Sequence, residues 1–290
     1  MHPTLMKLLA QGPVVLDGAW GTELQKLGLR PGACPEAWNL EQPERVRQVA
    51  QSYVDAGSNV ILTNTFGGSR LALARHDRAE CVAAYNRAGV ELSRSAASGK
   101  ALVFASIGPS GCMLAAGDVT EQELSDAFAE QVAALAGAGA DGLVLETFGD
   151  AEEAQLALAA AKASGLPVVL SLTYLYGAHA DRTMSGLTPE QQVQLFEAAD
   201  VLGINCGNGP AAFAPLIARI RAGTAKPIWC KPNAGLPVEV DGAFVYKETP
   251  AQFAQAATAL IASGANLLGG CCGSTPGHIA AICSQINPRA

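Results

Sequence analysis

The chain has 290 residues, of which 49% are hydrophobic and 16% charged, and its formal net charge is −7. This length and composition are enough for a large buried core, in one large domain or two, and the acidic balance disfavours nucleic acid as a partner. No run of about 18 apolar residues predicts a membrane helix. The start, Met-His-Pro-Thr, lacks the basic and apolar regions of a secretion signal, so we expect a cytoplasmic protein.

Short apolar or β-branched runs alternate along the chain with longer Ala-rich amphipathic runs. This alternation is typical of βα units and of a parallel sheet. The predicted strands are 14–18, 59–66, 102–108, 142–147, 168–173, 201–206, 228–233 and 266–270. The predicted helices are 43–56, 79–97, 120–138, 151–164, 188–199, 211–221, 249–262 and 276–286. Three of these helices are marked by a Thr-Pro pair, which puts a capping hydroxyl before a proline at the first helical position.

Eight such units predict an α/β fold of the (β/α)8 TIM-barrel type. No Pro- or Ser-rich linker interrupts the pattern, which predicts one domain over residues 1–290. An open doubly wound sheet is the rival fold, but Asp-Gly-Ala-Trp-Gly-Thr at 17–22 does not match its glycine fingerprint. Barrel enzymes build their sites at the C-terminal ends of strands. The polar residues at these predicted ends are Asp17, Thr63-Asn64-Thr65, Glu146-Thr147, Asn205-Cys206, Asn233 and Cys271-Cys272.

Two adjacent cysteines, Cys271 and Cys272, stand between glycines near the last predicted strand. Neighbouring side chains on a regular strand point to opposite faces, so only a sharp turn of the kind glycine permits brings both sulfurs to one ion. Cys206 ends another strand, and three thiolates suit zinc. The sequence therefore predicts a zinc site at the C-terminal ends of the barrel strands. A chain this long needs no disulfide framework. We interpret the other cysteines as ordinary thiols: Cys34, Cys81, Cys112, Cys230 and Cys283.

Four segments together resemble the zinc-dependent homocysteine S-methyltransferase family: 17–22, Gly-Ile-Asn-Cys-Gly at 203–207, Pro-Asn-Ala-Gly at 232–235 and Gly-Gly-Cys-Cys-Gly at 269–273. The segment 232–237, with Asp241-Gly242 and the residues up to Tyr246, is most similar to the homocysteine-binding module of cobalamin-dependent methionine synthase. The resemblance covers essentially the whole chain. It implies an enzyme that methylates the thiol of L-homocysteine to give methionine, with the zinc-bound substrate thiolate as the nucleophile and no catalytic side chain.

The same resemblance implies a role for particular residues. Cys206, Cys271 and Cys272 match the three zinc ligands, and Asn233 matches an exchangeable fourth ligand. Cys230 is the residue that would close the zinc shell, but it is expected on the opposite face of its strand. The implied substrate-binding residues are Asp17 and Glu146 near the ammonium, the backbone amides of Gly18 and Ala19 at the carboxylate, and Thr63 nearby.

The methyl donor is left open by the sequence. A methylcorrinoid carried by a partner protein is favoured, because no corrinoid or folate domain fits within 290 residues. The alternatives are an autonomous enzyme that uses S-methylmethionine or a betaine-type donor, a methyltransferase acting on another thiol or selenol, and a structural zinc protein with a closed metal shell. Lys231 on a predicted strand also permits a Schiff-base role, but we interpret it as a salt-bridged strand residue.

Overall fold

The computed structural model describes residues 1–240 and 243–286, so the Asp241-Gly242 pair of the resemblance lies outside the described residues. In chain order the elements are α1 (Pro3–Leu9), β1 (Val14–Val15), α2 (Gly21–Lys26), α3 (Trp38–Glu41), α4 (Pro43–Asp55), β2 (Val60–Ile61), α5 (Arg70–Ala74), α6 (Val82–Ala97), β3 (Leu102–Ile107), α7 (Glu121–Gly137), β4 (Gly142–Phe148), α8 (Ala151–Lys162), β5 (Val168–Leu172), α9 (Pro189–Leu195), β6 (Val201–Asn205), α10 (Pro210–Gly223), β7 (Ile228–Lys231), β8 (Pro237–Val240), β9 (Ala243–Tyr246), α11 (Pro250–Ala262), β10 (Leu267–Leu268) and α12 (Pro276–Ile286). None of the described helices is long and apolar enough to span a membrane.

Eight parallel strands form a barrel in the order β1-β10-β7-β6-β5-β4-β3-β2. A parallel bridge between Leu16 and Val60 joins the first and last strands of this order, and the Asn59 amide donates to the Val15 carbonyl over 2.7 Å. Helices connect the strands and cover the outside of the sheet. The predicted (β/α)8 TIM-type fold is therefore confirmed. The antiparallel hairpin β8–β9 is an excursion between β7 and α11.

The barrel interior is packed with side chains and is separate from the layer between sheet and helices. Phe104 and Trp229 stack across it with ring centroids 6.5 Å apart. Gly142 lies beside Phe104 and Gly203 beside Trp229, and a Cβ at either glycine would come within 2.8 Å of its aromatic neighbour. Small residues on the partner strands therefore make room for large rings inside the barrel.

Helix α1 fills the end of the barrel at which the strands begin. Its Leu5 is fully buried and packs in the interior cluster with residues of β1 and β2. The sequence did not predict α1, because a helix of seven residues carries too little periodicity to be recognised. Helix α1 thus closes the end of the barrel at which the strands begin, and the end at which the strands finish is open.

Several predicted strands extend further towards the open end of the barrel than the observed strands do. β1, β2 and β10 each contain two residues, whereas the sequence predicted five or more. The chain beyond β2 bonds to a side chain in place of a neighbouring strand, since the Leu62 amide donates to the Asp17 carboxylate over 2.7 Å. Helix α9 also ends early, at Leu195. The positions of all eight barrel strands were predicted correctly.

Candidate active site

The three predicted thiol ligands come together at the C-terminal ends of the strands. Cys206 directly follows β6, and Cys271 and Cys272 follow β10. The three Sγ atoms all lie within 4.8 Å of one another, and those of Cys206 and Cys272 are 3.9 Å apart. Cys206 has φ +62°, a left-handed conformation that is unusual for a residue with a side chain. The backbone turn at this position directs its thiol towards the other two.

Glycines on both sides of the cysteine pair allow the close packing that this turn requires. A Cβ at Gly269 would lie 2.5 Å from the Asp17 carbonyl, and one at Gly270 would lie 2.4 Å from Ser274 Oγ. Gly273 has φ +79°, and a Cβ there would meet the Tyr246 ring at 2.1 Å. Glycine is the one residue that fits at each of these approaches.

Asn233 lies on the segment beside the cysteine pair, although it is not among the described residues that line the cavity at the open end of the barrel. The flanking backbone fixes it there, because the Cys271 amide donates to the Pro232 carbonyl over 2.7 Å and the Ala234 amide donates to the Cys272 carbonyl over 3.0 Å. Asn233 Nδ2 donates to the Gly207 carbonyl over 3.1 Å. Its Oδ1 is buried and has no hydrogen-bond partner among the described residues. Such an atom is available as a metal ligand.

Cys230 points away from this cluster. It is fully buried and packs in the layer between the sheet and the helices, whereas its neighbours Trp229 and Lys231 face the other side of the strand. The described residues therefore offer three clustered thiols, with the unpartnered amide oxygen of Asn233 on the adjoining segment. Three fixed thiolates with one exchangeable ligand are the pattern of a catalytic zinc site rather than a closed structural one, so the residues present fit zinc.

Without a metal ion, the surroundings of Cys271 favour its protonated thiol form. Contact with Cys206 and burial raise the pKa of Cys271 well above its ordinary 9.0. Metal ligation requires the thiolate form, so a bound cation has to displace this proton.

A cavity of about 650 Å³ lies beside the thiols at the open end of the barrel. Its lining includes the three cysteines and the predicted substrate-binding residues Gly18, Ala19, Thr63 and Glu146. Trp20, Phe66 and Tyr246 add aromatic surface to the wall. The structure thus brings most of the predicted site residues to one cavity.

Glu146 is one of two carboxyl residues that line this cavity, and the other, Glu36, already accepts from the Gly67 amide over 2.7 Å. Ser106 Oγ donates to Glu146 Oε1 over 2.5 Å, and the Ser106 amide donates to Thr63 Oγ1 over 3.1 Å, which links the ends of three strands. Burial raises the pKa of Glu146, and the nearby Asp17 adds to this effect, while Lys231 and the Ser106 hydrogen bond oppose it. A cationic group entering the cavity would favour the ionised form of this carboxyl.

Asp17 lies behind the cavity wall and is fully buried. Lys231 Nζ is 2.5 Å from its Oδ1, and its Oδ2 accepts from Trp20 Nε1 over 2.8 Å and from the Leu62 amide. The expectation that Lys231 is a salt-bridged strand residue is confirmed. Burial disfavours the charged ammonium of Lys231, but Asp17 and Glu146 outweigh this and raise its pKa above the ordinary value.

The backbone at Gly18 and Ala19 is held tightly against the rest of the site. A Cβ at Gly18 would lie 2.8 Å from the Tyr53 ring, and the Ala19 amide donates to Ser274 Oγ over 3.1 Å. The sequence analysis did not single out Ser106 or Ser274, and it named Tyr246 only as the end of a segment of the resemblance. Ser106 carried a usable signal, because it is polar and lies at the end of the third predicted strand.

Known proteins are similar to this chain over almost its whole length. A model of the homocysteine S-methyltransferase family matches residues 14–286. Methionine synthase of Mycobacterium leprae is 28% identical over 307 residues, which cover 97% of this chain and 25% of that protein. Methionine synthase of Mycobacterium tuberculosis is 27% identical with the same coverage. The chain therefore spans about a quarter of the length of these curated relatives.

Solved structures give the same result. The oxidised form of homocysteine methyltransferase MmuM from Escherichia coli superposes with a TM-score of 0.81 at 26% identity, over 97% of this chain and 99% of that one. The metallated form of the same protein gives a TM-score of 0.79 at 25% identity, over 96% and 98% of the two chains. Dihydrodipicolinate synthase from Cyanidioschyzon merolae, at 15% identity and a TM-score of 0.52, shares the fold alone. With a family model that matches nearly its whole length, the chain belongs to the homocysteine S-methyltransferase family of enzymes.

Proposed function

We propose that this protein transfers a methyl group to the thiol of L-homocysteine and so forms methionine. The observation that carries the proposal is the group of three thiols within 4.8 Å of one another on the wall of the cavity that also contains Glu146. In the reaction, a bond forms between the substrate sulfur and the methyl carbon, and the bond between that carbon and its donor breaks.

The metal of this proposal is zinc, with Cys206, Cys271 and Cys272 as fixed ligands and Asn233 as the ligand that substrate displaces. The unpartnered Oδ1 of Asn233 and the outward direction of Cys230 support an open fourth position. When bound in such a site, zinc holds a thiol as its nucleophilic thiolate at neutral pH. The metallated form of the E. coli protein is a further reason to expect a metal here.

The chain's own residues bind and orient the substrate. Glu146 attracts the substrate ammonium, and its hydrogen bond from Ser106 fixes the orientation of the carboxylate. Thr63 keeps Ser106 in place through its backbone amide. Asp17 holds the side chains of Lys231 and Trp20 in position through its two carboxylate oxygens. Gly18 and Ala19 form the adjacent part of the cavity wall. The aromatic rings in the wall exclude water from the reacting sulfur.

The proposed methyl donor is a methylcorrinoid carried by a partner protein. The similarity to methionine synthases supports this donor. Large apolar side chains are exposed on the segments that follow β2, β3, β5 and β7, at the end of the barrel where the cavity lies, and they suit a protein surface. They are Phe66, Met113, Leu175, Tyr176, Met184, Leu236, Val238 and Val245.

An autonomous enzyme with a small donor such as S-methylmethionine or a betaine-type compound is the second candidate. The observation in its favour is that this chain covers 99% of E. coli homocysteine methyltransferase MmuM, so a barrel of this size is a whole protein in that case. A single barrel domain acting in the cytoplasm stays a prediction under both candidates.

Zinc-edge X-ray absorption of the metal-loaded protein, with and without L-homocysteine, tests the proposed chemistry. We expect three sulfur ligands and one oxygen or nitrogen ligand without substrate, and four sulfur ligands with it. A four-sulfur shell that homocysteine leaves unchanged would contradict the proposal. Turnover assays with methylcobalamin, S-methylmethionine and betaine then distinguish the two donor classes.

A further inference from the structure

A buried cation on the cavity wall has more hydrogen-bond donors than the chain uses. Lys231 is 2% exposed, and among the described residues its ammonium donates to one acceptor, Asp17 Oδ1, at 2.5 Å. A lysine ammonium carries three N–H donors. Buried donors without acceptors are costly. Two donors of Lys231 are therefore available for a ligand.

Lys231 borders the cavity, but its partner Asp17 is not among the described residues that line it. Both Asp17 oxygens are already used, one by Lys231 and the other by Trp20 Nε1 and the Leu62 amide. Asp17 thus anchors the ammonium, whose other donors have no acceptor among the described residues.

Residues of both charge types line the cavity that holds the three thiols, with Glu36 and Glu146 as the acidic residues and Lys231 as the basic one. Glu146 presents a carboxylate and Lys231 presents an ammonium, and both residues line the same space as Cys271. A free amino acid carries the complementary pair of charges, with the ammonium suited to Glu146 and the carboxylate suited to Lys231. The backbone amide of Ala19 is less available for that carboxylate, because it already donates to Ser274 Oγ.

We propose that Lys231 binds the α-carboxylate of the substrate and makes the site selective for thiols that are amino acids. The inference rests on the proposed function and extends it, since it assigns a residue that recognises one end of homocysteine. The ammonium of Lys231 donates to the carboxylate oxygens, and Asp17 keeps Lys231 fixed and protonated. A thiol without a carboxylate would leave two buried donors unpaired and would bind weakly.

Equilibrium binding to the zinc-loaded protein, measured by isothermal titration calorimetry, tests this assignment with three thiols. L-Homocysteine carries both charges, 3-aminopropane-1-thiol lacks the carboxylate, and 4-mercaptobutanoate lacks the ammonium. We expect the wild-type protein to bind homocysteine at least about tenfold more tightly than 3-aminopropane-1-thiol, as charged hydrogen bonds typically contribute.

The decisive variant removes the cation without leaving a buried charge. Lys231→Met alone would leave the Asp17 carboxylate unpaired, so the test uses Asp17→Asn together with Lys231→Gln, with thermal unfolding as a check on folding. We expect this double variant to bind homocysteine and 3-aminopropane-1-thiol with nearly equal Kd. The matched control, Glu146→Gln, should keep the preference for the carboxylate and lose the preference of homocysteine over 4-mercaptobutanoate.

The outcomes separate this assignment from the proposed function. If the folded double variant keeps the wild-type ratio of Kd values, Lys231 is a structural partner of Asp17 and the assignment is wrong while the proposed function stands. If the zinc-loaded wild type binds none of the three thiols, the proposed function itself fails, and the assignment fails with it.

Discussion

The cysteines of this chain differ in the side of the barrel wall that they face. Cys206, Cys271 and Cys272 direct their sulfurs to the open end, whereas Cys230 packs against the helices. We predict that Cys206→Ser lowers zinc affinity by more than about 100-fold, because loss of a direct ligand costs more than the 10–100-fold typical of its supporting contacts. Zinc content after dialysis against a chelator measures this. Cys230→Ala is the matched control and should retain one zinc; equal retention in both variants would contradict the ligand assignment.

His278 makes the stability of the fold sensitive to acid. The Thr275 amide donates to its Nδ1 over 3.2 Å, so its Nε2 carries the hydrogen and donates to the Glu248 carbonyl over 2.9 Å. Burial lowers the pKa of His278 below 6.5, although the bond to Glu248 opposes this. The neutral ring is thus favoured in the folded state. Its contribution to stability is complete above about pH 6.5 and is lost as the pH falls through the lower folded pKa.

We therefore expect the Tm of the wild type to fall between pH 7 and pH 5 more steeply than that of His278→Gln. Thermal unfolding followed by circular dichroism at several pH values measures the difference. Since acidic residues titrate in both proteins, the comparison isolates the histidine. Parallel pH profiles for the two proteins would show that the ring contributes nothing to acid sensitivity.

Individual residues also show how far the sequence could predict the site. Neighbouring cysteines among glycines are a strong local pattern, and the barrel topology explains how Cys206 reaches them across the chain. The connection of Lys231 to Asp17 was not predictable from spacing, because 214 positions separate the two residues. The assignment of Asp17 as a direct substrate ligand stays a prediction, and its three hydrogen-bond partners were visible only in the structure.

At the scale of elements, glycines in the strands leave the space that the aromatic side chains of the barrel interior occupy. A Cβ at Gly203 would lie 2.8 Å from the Cβ of Trp229, and neither backbone can move without disturbing the sheet. We predict that Gly203→Ala destabilises the protein by about 1–3 kcal/mol through overpacking. Gly137→Ala is the control, because Gly137 ends helix α7 with nothing within 4 Å of its added Cβ. It should stabilise by up to about 1 kcal/mol. Urea unfolding measures both, and equal effects would contradict the packing argument.

The strands themselves were predictable and their ends were not. Runs such as 142–145 and 168–170 are continuously apolar because parallel strands are buried on both faces. Near the cavity, side chains replace the regular ladder, as Asn205 does when its Oδ1 accepts from the Thr147 amide and from Ser171 Oγ. Such bonds leave no periodic pattern in a sequence. The hairpin β8–β9, whose Tyr246 packs on Gly273, was missed although Asp-Gly between two short apolar runs is a recognised hairpin signal.

At the scale of the whole molecule, substitutions among the exposed apolar side chains at the open end of the barrel can distinguish the two donor classes. Leu236 is 61% exposed at this end, and Leu195 is 44% exposed at the end of α9, away from it. We predict that Leu236→Asp slows methyl transfer from a protein-bound methylcorrinoid by about tenfold or more, while Leu195→Asp has little effect. Transfer from free methylcobalamin should be unaffected by either change. Equal rates for both variants with the protein-bound donor would argue against docking at this end of the barrel.

Helix α1 has a consequence for the kinetics of the whole reaction. Within the described residues its Leu5 fills the base of the barrel, so both substrates and both products exchange through the same opening. A donor that occupied this opening first would block the path of homocysteine to the thiols that line the cavity. The two substrates should therefore add in a compulsory order, homocysteine first, with methionine the last to leave. Steady-state kinetics would then show a dead-end donor analogue as an uncompetitive inhibitor against homocysteine.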